Sequence, residues 1–394
     1  MQPEDFSSLA SEHGDFYGFE SLLTGEEKEA FLAVREWLET RLRPVAVQNW
    51  VDATFPSELI EEFAELDIIS PVRRKGWSNV FAGLVHAELN RVDASFATFL
   101  GVHDGLFTGT IEALASEEQK AEWLPAIYAF REIGAFGLTE PLAGSDVAGG
   151  LQTTARREGD SWVLNGAKRW IGNATWSDWV VIFAKDADEG GVKAFLVDTS
   201  SEGYSAQKIE NKISLRTVQN ADIQLKDVVV PESRRLANCS TFKDVNKVLR
   251  VTRLAVAWQA VGLQRAAFDL ARSYAVERTQ FGRPLASFQM IQEQLVQMLG
   301  NLTASTAMMM RLSQIEDEGV AKDEQSALAK AFTTARMRET VAMGRSIFGG
   351  NGIVADYEIA KVFADAEAIY TFEGTHEVNT LVTGRAITGV SAIV

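Results

Sequence analysis

The 394-residue sequence predicts an α+β fold, mostly α, with an N-terminal helical domain, a middle antiparallel β-domain and a C-terminal helical bundle. Three shifts along the chain carry this reading. From Thr24 to about Arg131, acids, Ala and Leu mix at amphipathic spacing. Between Gly134 and Pro231 β-branched and aromatic residues take over. After about Phe242 the helical period returns and lasts to the end. Strands gathered in one block exclude a sheet that alternates with helices. The domains are accordingly set at 1–131, 132–238 and 239–394.

The elements follow in order. Thr24-Gly25-Glu26-Glu27 opens a helix, with a Thr cap and a carboxylate three residues on. Ser116-Glu117-Glu118-Gln119 repeats the device for a helix running toward Leu124-Pro125. In the middle, Trp179-Val180-Val181-Ile182-Phe183 and Ala194-Phe195-Leu196-Val197 read as strands. Between Ser161 and Trp170, Asn165-Gly166 separates two strand-like halves and predicts a type I′ hairpin turn. Further on, Phe288, Ile291, Leu295, Met298 and Leu302 recur at three- and four-residue steps, which places them on one face of a single long helix.

Composition narrows the function classes. Hydrophobic residues at 46% and charged residues at 23% suit a globular protein. A net charge of -16 with no basic patch argues against nucleic acid as a partner. One cysteine, Cys239, leaves no intrachain disulfide and no thiolate cluster. His13, His86, His103 and His376 never stand in a metal-ligand spacing, so no metal is expected. Neither a Gly-x-Ser-x-Gly elbow nor a Walker loop occurs, and Gly349-Gly350-Asn351-Gly352 is not a dinucleotide fingerprint. No uncharged apolar run reaches the roughly 20 residues of a membrane span. Acids at Met1–Asp5 stand where a targeting segment carries cations, and Ser391–Val394 differs from a peroxisomal address, so the expectation is cytoplasmic.

Four segments offer groups that loops and helix ends use to approach a ligand. Thr139–Asp146 carries hydroxyls and backbone N–H groups on a turn, suited to an anion, or to a plain surface loop. Trp170–Asn173 sets a large ring beside a glycine, either over a planar cofactor or in a core. Arg278–Pro284 offers cations at a corner between helices. Finally, Ile369–His376 holds Glu373 among apolar residues on an irregular stretch. Burial there raises a carboxyl pKa toward that of a useful base, whereas a helix-start glutamate facing water stays ordinary. Spacing alone leaves both readings open.

Taken in order, these segments resemble the acyl-CoA dehydrogenase family of flavoproteins over essentially the whole chain. The match rests on the Thr139-Glu140-Pro141 loop ending in Gly144-Ser145-Asp146, Trp170-Ile171 with Asn173, Arg278 with Phe281-Gly282, the Gly349–Gly352 turn, and Phe372-Glu373-Gly374-Thr375. The resemblance implies FAD as cofactor, an acyl-CoA substrate, an electron-transferring flavoprotein as acceptor, and a homotetramer built as two dimers. It makes Glu373 the base that removes the α-proton of the thioester while flavin N5 takes the β-hydride, with the Glu373 N–H and a ribityl hydroxyl on the thioester carbonyl. It sets Phe136, Leu138, Thr139 and Ser145 beside the flavin and its phosphates, Trp170, Ile171 and Gly172 beside the ring, and Thr375 near the nucleotide end. Arg278, Phe281, Gln289 and Ser346, Ile347, Phe348, Gly349 and Gly350 match positions that hold the FAD of a neighbouring subunit. Ser145, Asn246, Arg250, Arg253 and Gly374 match substrate-side positions, with Arg253 on the helix beside the CoA arm.

Two departures refine the expectation. Many members have a threonine where this chain has Gly172, so only main chain is offered to N5 here. Around Arg91-Val92-Asp93 and Asn379–Arg385 the text resembles glutaryl-CoA dehydrogenases and short-chain acyl-CoA oxidases. The arginine that glutaryl-specific enzymes use is matched by Ala97. A buried distal carboxylate without a partner is costly, so a short, uncharged acyl chain is expected, with Arg91 as the alternative cation for a glutaryl group. Three other readings stay open: an oxidase reoxidised by O2, a decarboxylating glutaryl-CoA dehydrogenase, and a binding protein without turnover.

Overall fold

The structure, a computed structural model, describes residues 14–392. The acidic start at Met1–Asp5, His13 and the terminal Ile393-Val394 lie outside the described residues.

Helices fill the N-terminal part, among them Gly25–Trp37, Asn79–Val92, Ala94–Leu100 and Glu117–Tyr128. Both predicted capping boxes form. The Thr24 Oγ1 accepts from the Glu27 N–H at 3.3 Å and the Glu27 carboxylate accepts from the Thr24 N–H at 2.9 Å, with the same exchange between Ser116 and Gln119. The Glu117–Tyr128 helix runs on past Pro125. There the missing N–H costs one helical bond.

Seven strands follow: β1 Gly134–Gly137, β2 Thr154–Glu158, β3 Ser161–Ile171, β4 Trp179–Asp186, β5 Val192–Asp198, β6 Tyr204–Lys208 and β7 Ala221–Pro231. Four pairings are antiparallel, β2/β3, β3/β7, β4/β5 and β6/β7. Two are parallel, because β4 takes β5 along one edge while β1 and β2 share the other. Strand β4 is central, and its side chains alternate between two cores, Val181 and Phe183 in one and Val180, Ile182 and Ala184 in the other, which explains its unbroken apolar run Val180–Ala184, all fully buried.

Asn165-Gly166 is not a hairpin turn. It lies inside β3, where the register against β7 shifts between Leu164 and Gly166. The Asn165 side chain exchanges two 2.9 Å hydrogen bonds with Asp227, and Gly166 has φ +151°. A Cβ on Gly166 would stand 2.7 Å from Thr153 Cα. The dipeptide therefore serves a bulge, which asks for the same backbone freedom as a turn. The actual β2/β3 turn is Gly159-Asp160, since Glu158 pairs with Ser161.

From Phe242 onward the chain is helical again: Phe242–Glu277, Gln289–Asp317, Asp323–Ile347, Ile359–Thr371 and His376–Thr388. Met298 and Leu302 are buried, and Ile291 and Leu295 pack on the same core, as the spacing predicts, whereas Phe288 is the helix N-cap and stays outside that core. One buried carboxylate ties the three parts together. Asp365, on the Ile359–Thr371 helix, accepts from the Trp50 indole N–H at 2.9 Å and from the Leu215 N–H at 2.6 Å. One turn earlier, Lys361 pairs with buried Asp93 at 2.9 Å. These anchors hold the helix whose C-terminal end leads into Glu373. No helix among the described residues is long and apolar enough to cross a membrane.

Candidate active site

Glu373 sits between the Ile359–Thr371 and His376–Thr388 helices with φ +55°, followed by Gly374 at φ +88°. A left-handed glutamate is strained by about 1–2 kcal/mol, so the surrounding structure must hold it. Three devices do so. Thr375 caps the next helix, its Oγ1 accepting from the Val378 N–H at 3.3 Å. Buried Asn379 donates its Nδ2 to the Gly374 and Thr375 carbonyls at 2.8 and 2.9 Å. Fully buried Lys330, from the Asp323–Ile347 helix, donates its ammonium to the Phe372 and Gly374 carbonyls.

The residue keeps some accessible surface, while protein atoms crowd its carboxyl. Desolvation raises the Glu373 pKa above the ordinary 4.5, while the Lys330 charge, the nearby Thr252 hydroxyl and the Arg253 charge pull the other way. Desolvation likewise brings Lys330 down to about 7, against the attraction of Glu373. Arg253 and Thr252 come from the Phe242–Glu277 helix, and the Arg253 Nε lies 4.0 Å from where a Gly374 Cβ would be. Glu373, Gly374, Arg253 and Thr252 thus converge. A helix-start glutamate facing water does not describe this carboxyl.

A second group forms around the end of β3. The Arg169 N–H donates to the Thr139 carbonyl at 2.9 Å, and the fully buried Lys168 ammonium donates to the Leu138 carbonyl at 3.2 Å and to Glu140 at 2.8 Å. This sets the Thr139–Asp146 turn beside Trp170, Ile171 and Gly172. Thr139 is part-buried, Ser145 is exposed and the Trp170 ring is 52% exposed. The Phe136, Leu138 and Ile171 side chains belong to the cores. A Cβ on Gly172 would press on Val102 Cγ2 at 3.0 Å.

A third group is built on Tyr274. Its ring stacks on Phe348 at 4.0 Å and its hydroxyl accepts from Asn351 Nδ2 at 2.9 Å, which joins the Arg278 corner to the glycine turn. Arg278, Phe281, Gln289, Ser346, Gly349 and Gly350 are exposed, Phe281 at 94%, whereas Ile347 and Phe348 are buried. Ser346 follows Lys330 by roughly 24 Å of helix at 1.5 Å per residue. Arg250 is tied to Glu316 at 3.1 Å, and Asn246 is exposed. Arg91 is 5% exposed and bonded to Glu88 and Glu39, so it is not free to receive a ligand carboxylate. Among the described residues no cluster could hold a metal ion.

Sequence reasoning missed Lys330. Its only trace is a single lysine inside the small, apolar run Ala327-Leu328-Ala329-Lys330-Ala331-Phe332.

Comparison with known proteins shows the family. Family models described as the N-terminal, middle and C-terminal domains of acyl-CoA dehydrogenase match residues 24–131, 135–228 and 242–388. A 3-(aryl)acrylate reductase of Clostridium sporogenes is 34% identical, over 88% of this chain and 94% of its own length. A mitochondrial short-chain specific acyl-CoA dehydrogenase of Mus musculus is 31% identical over 88% and 86%. A crystal structure of a glutaryl-CoA dehydrogenase from Mycobacterium smegmatis in complex with FADH2 superposes with TM-score 0.93 at 33% identity, covering 97% of this chain and 99% of that one.

Proposed function

The chain belongs to the acyl-CoA dehydrogenase family, whose members are FAD-dependent oxidoreductases acting on CH–CH groups, and on that footing we propose that it dehydrogenates a short-chain acyl-CoA thioester with Glu373 as base. The observation that carries the proposal is the Glu373 carboxyl itself. It is desolvated, its pKa is raised, and it stands on a strained turn beside Thr252, Arg253 and Lys330. A carboxylate kept out of water is the stronger base for a weakly acidic α-proton.

The groups at the end of β3 suit FAD. They offer an exposed indole face, the Thr139 and Ser145 hydroxyls, and a turn whose Glu140 is neutralised by Lys168, so that this carboxylate does not confront a phosphate. When bound, FAD supplies the hydride acceptor. The chain's own work is to bind and orient the thioester with Arg253, to accept the α-proton on Glu373, and to polarise the thioester carbonyl with the Glu373 N–H. The exposed Tyr274 group, a long way along the helix from Lys330, supports a role toward a second subunit in a homotetramer. Electrons then pass to an electron-transferring flavoprotein.

Ala97 is fully buried and Arg91 is committed to two glutamates, which favours a short acyl chain without a distal charge over a glutaryl group. Anaerobic titration of the flavin-loaded protein with a panel of acyl-CoA esters tests this. Bleaching by butyryl-CoA ahead of glutaryl-CoA is expected, and bleaching by none of the esters would refute the reaction class. Stoichiometric hydrogen peroxide in air would replace the dehydrogenase reading with an oxidase.

A further inference from the structure

Glu373 needs a backbone that most residues avoid, and part of what holds this backbone comes from a helix remote in sequence. Lys330 is 1% exposed, and its ammonium donates to both carbonyls that flank Glu373, those of Phe372 and Gly374. Gly374 O receives Asn379 Nδ2 as well, so the turn is gripped from the Asp323–Ile347 and His376–Thr388 helices together. Burying an ammonium costs several kcal/mol unless it is hydrogen-bonded and near a counter-charge. Here two carbonyls accept from it and Glu373 supplies the counter-charge, although desolvation still outweighs them and brings Lys330 down to about 7.

We propose that Lys330 is the positioning residue of this turn, its buried ammonium fixing the left-handed Glu373 backbone so that the carboxylate is held in line with the thioester α-carbon. The inference rests on the reading of Glu373 as the base. The charge has a second consequence. Lys330 from one helix and Arg253 from another are the cations whose fields favour ionised Glu373, while the Thr252 hydroxyl beside them donates to the Leu249 carbonyl at 3.0 Å. Removing the Lys330 charge leaves Arg253 and Thr252 in place, and Glu373 then binds its proton more tightly.

Lys330→Met and Lys330→Gln, with Glu373→Gln in parallel, provide the test. Each is assayed for FAD content, kcat and KM with butyryl-CoA across pH. Displacing a reacting group by about 1 Å costs on the order of 100-fold, so Lys330→Met is expected to keep its FAD and lose at least about 10-fold in kcat, with KM little changed. The acidic limb of kcat/KM moves to higher pH in the same variant. Lys330→Gln keeps a donor for the carbonyls without the charge, so it recovers kcat while the limb stays shifted. It also carries the comparison should Lys330→Met not fold. A flavin-loaded Lys330→Met or Lys330→Gln with unchanged kcat and an unchanged acidic limb overturns the proposal, as does a loss seen only in KM or FAD content. Normal turnover by Glu373→Gln would instead remove the premise, whatever the Lys330 variants do.

Discussion

Lys168 is the interior charge whose removal has the most calculable effect. It is fully buried and meets Glu140 at 2.8 Å, while the two Glu140 oxygens also accept the Gln152 and Thr153 N–H groups at 2.6 and 2.9 Å. Burial brings the Lys168 pKa down to about 8 even against the attraction and hydrogen bond of Glu140, so desolvation outweighs both. Lys168→Met exchanges the ammonium for apolar bulk and leaves Glu140 buried with its charge unopposed. Breaking a buried pair in this way costs about 3–5 kcal/mol. With an unfolding entropy of about 2.1 cal/mol/K per residue, a 394-residue chain loses roughly 4–6 °C in Tm. In Lys168→Met/Glu140→Gln the stranded charge is gone and a neutral acceptor remains, so at least about 1.5 kcal/mol should return. Urea unfolding of the single and double variants, with FAD content measured alongside, reads both numbers. If Lys168→Met unfolds within about 0.5 kcal/mol of the parent, as an ordinary surface change does, this account of the Thr139–Asp146 loop is wrong.

Other outcomes follow from the same structure. An unpaired buried carboxylate at about 3 kcal/mol predicts kcat/KM for butyryl-CoA about 100-fold above that for glutaryl-CoA; a glutaryl preference would show that some other cation reaches the acyl pocket. Gly166→Ala forces a Cβ against Thr153 at a φ of +151°, so a loss of about 2 kcal/mol is expected, and unchanged stability would remove the bulge. Burial raises Asp365 from 3.8 to about 6, so the folded state holds the extra proton between those values. This contribution to stability is complete below about 4 and is lost as pH rises through 6. Asp365→Asn keeps Oδ1 as acceptor and flattens that slope in urea titrations at pH 4 to 7; an unaltered slope would place the proton elsewhere.

The order of helices, strands and helices was legible because the residue types change with it: the β-branched and aromatic run Trp179–Phe183 reads as a strand, and the steps between Ile291, Leu295, Met298 and Leu302 as one helix face. Asn165-Gly166 misled because a bulge and a turn ask the same freedom of the backbone, and sequence does not say which strand lies opposite. Glu373 could be singled out by its apolar neighbours. Lys330 could not, since the carbonyls it binds lie 42 and 44 residues downstream and carry no side-chain signature. Arg91 looked available for a carboxylate until Glu88, one turn away, and Glu39, from another helix, were seen to hold it.

The most direct test of the base is Glu373→Gln, reconstituted with FAD and mixed anaerobically with butyryl-CoA. Flavin bleaching slowed at least about 100-fold, with the ester still bound, is the predicted result. Bleaching at the parent's rate would contradict it and assign the proton abstraction to another group.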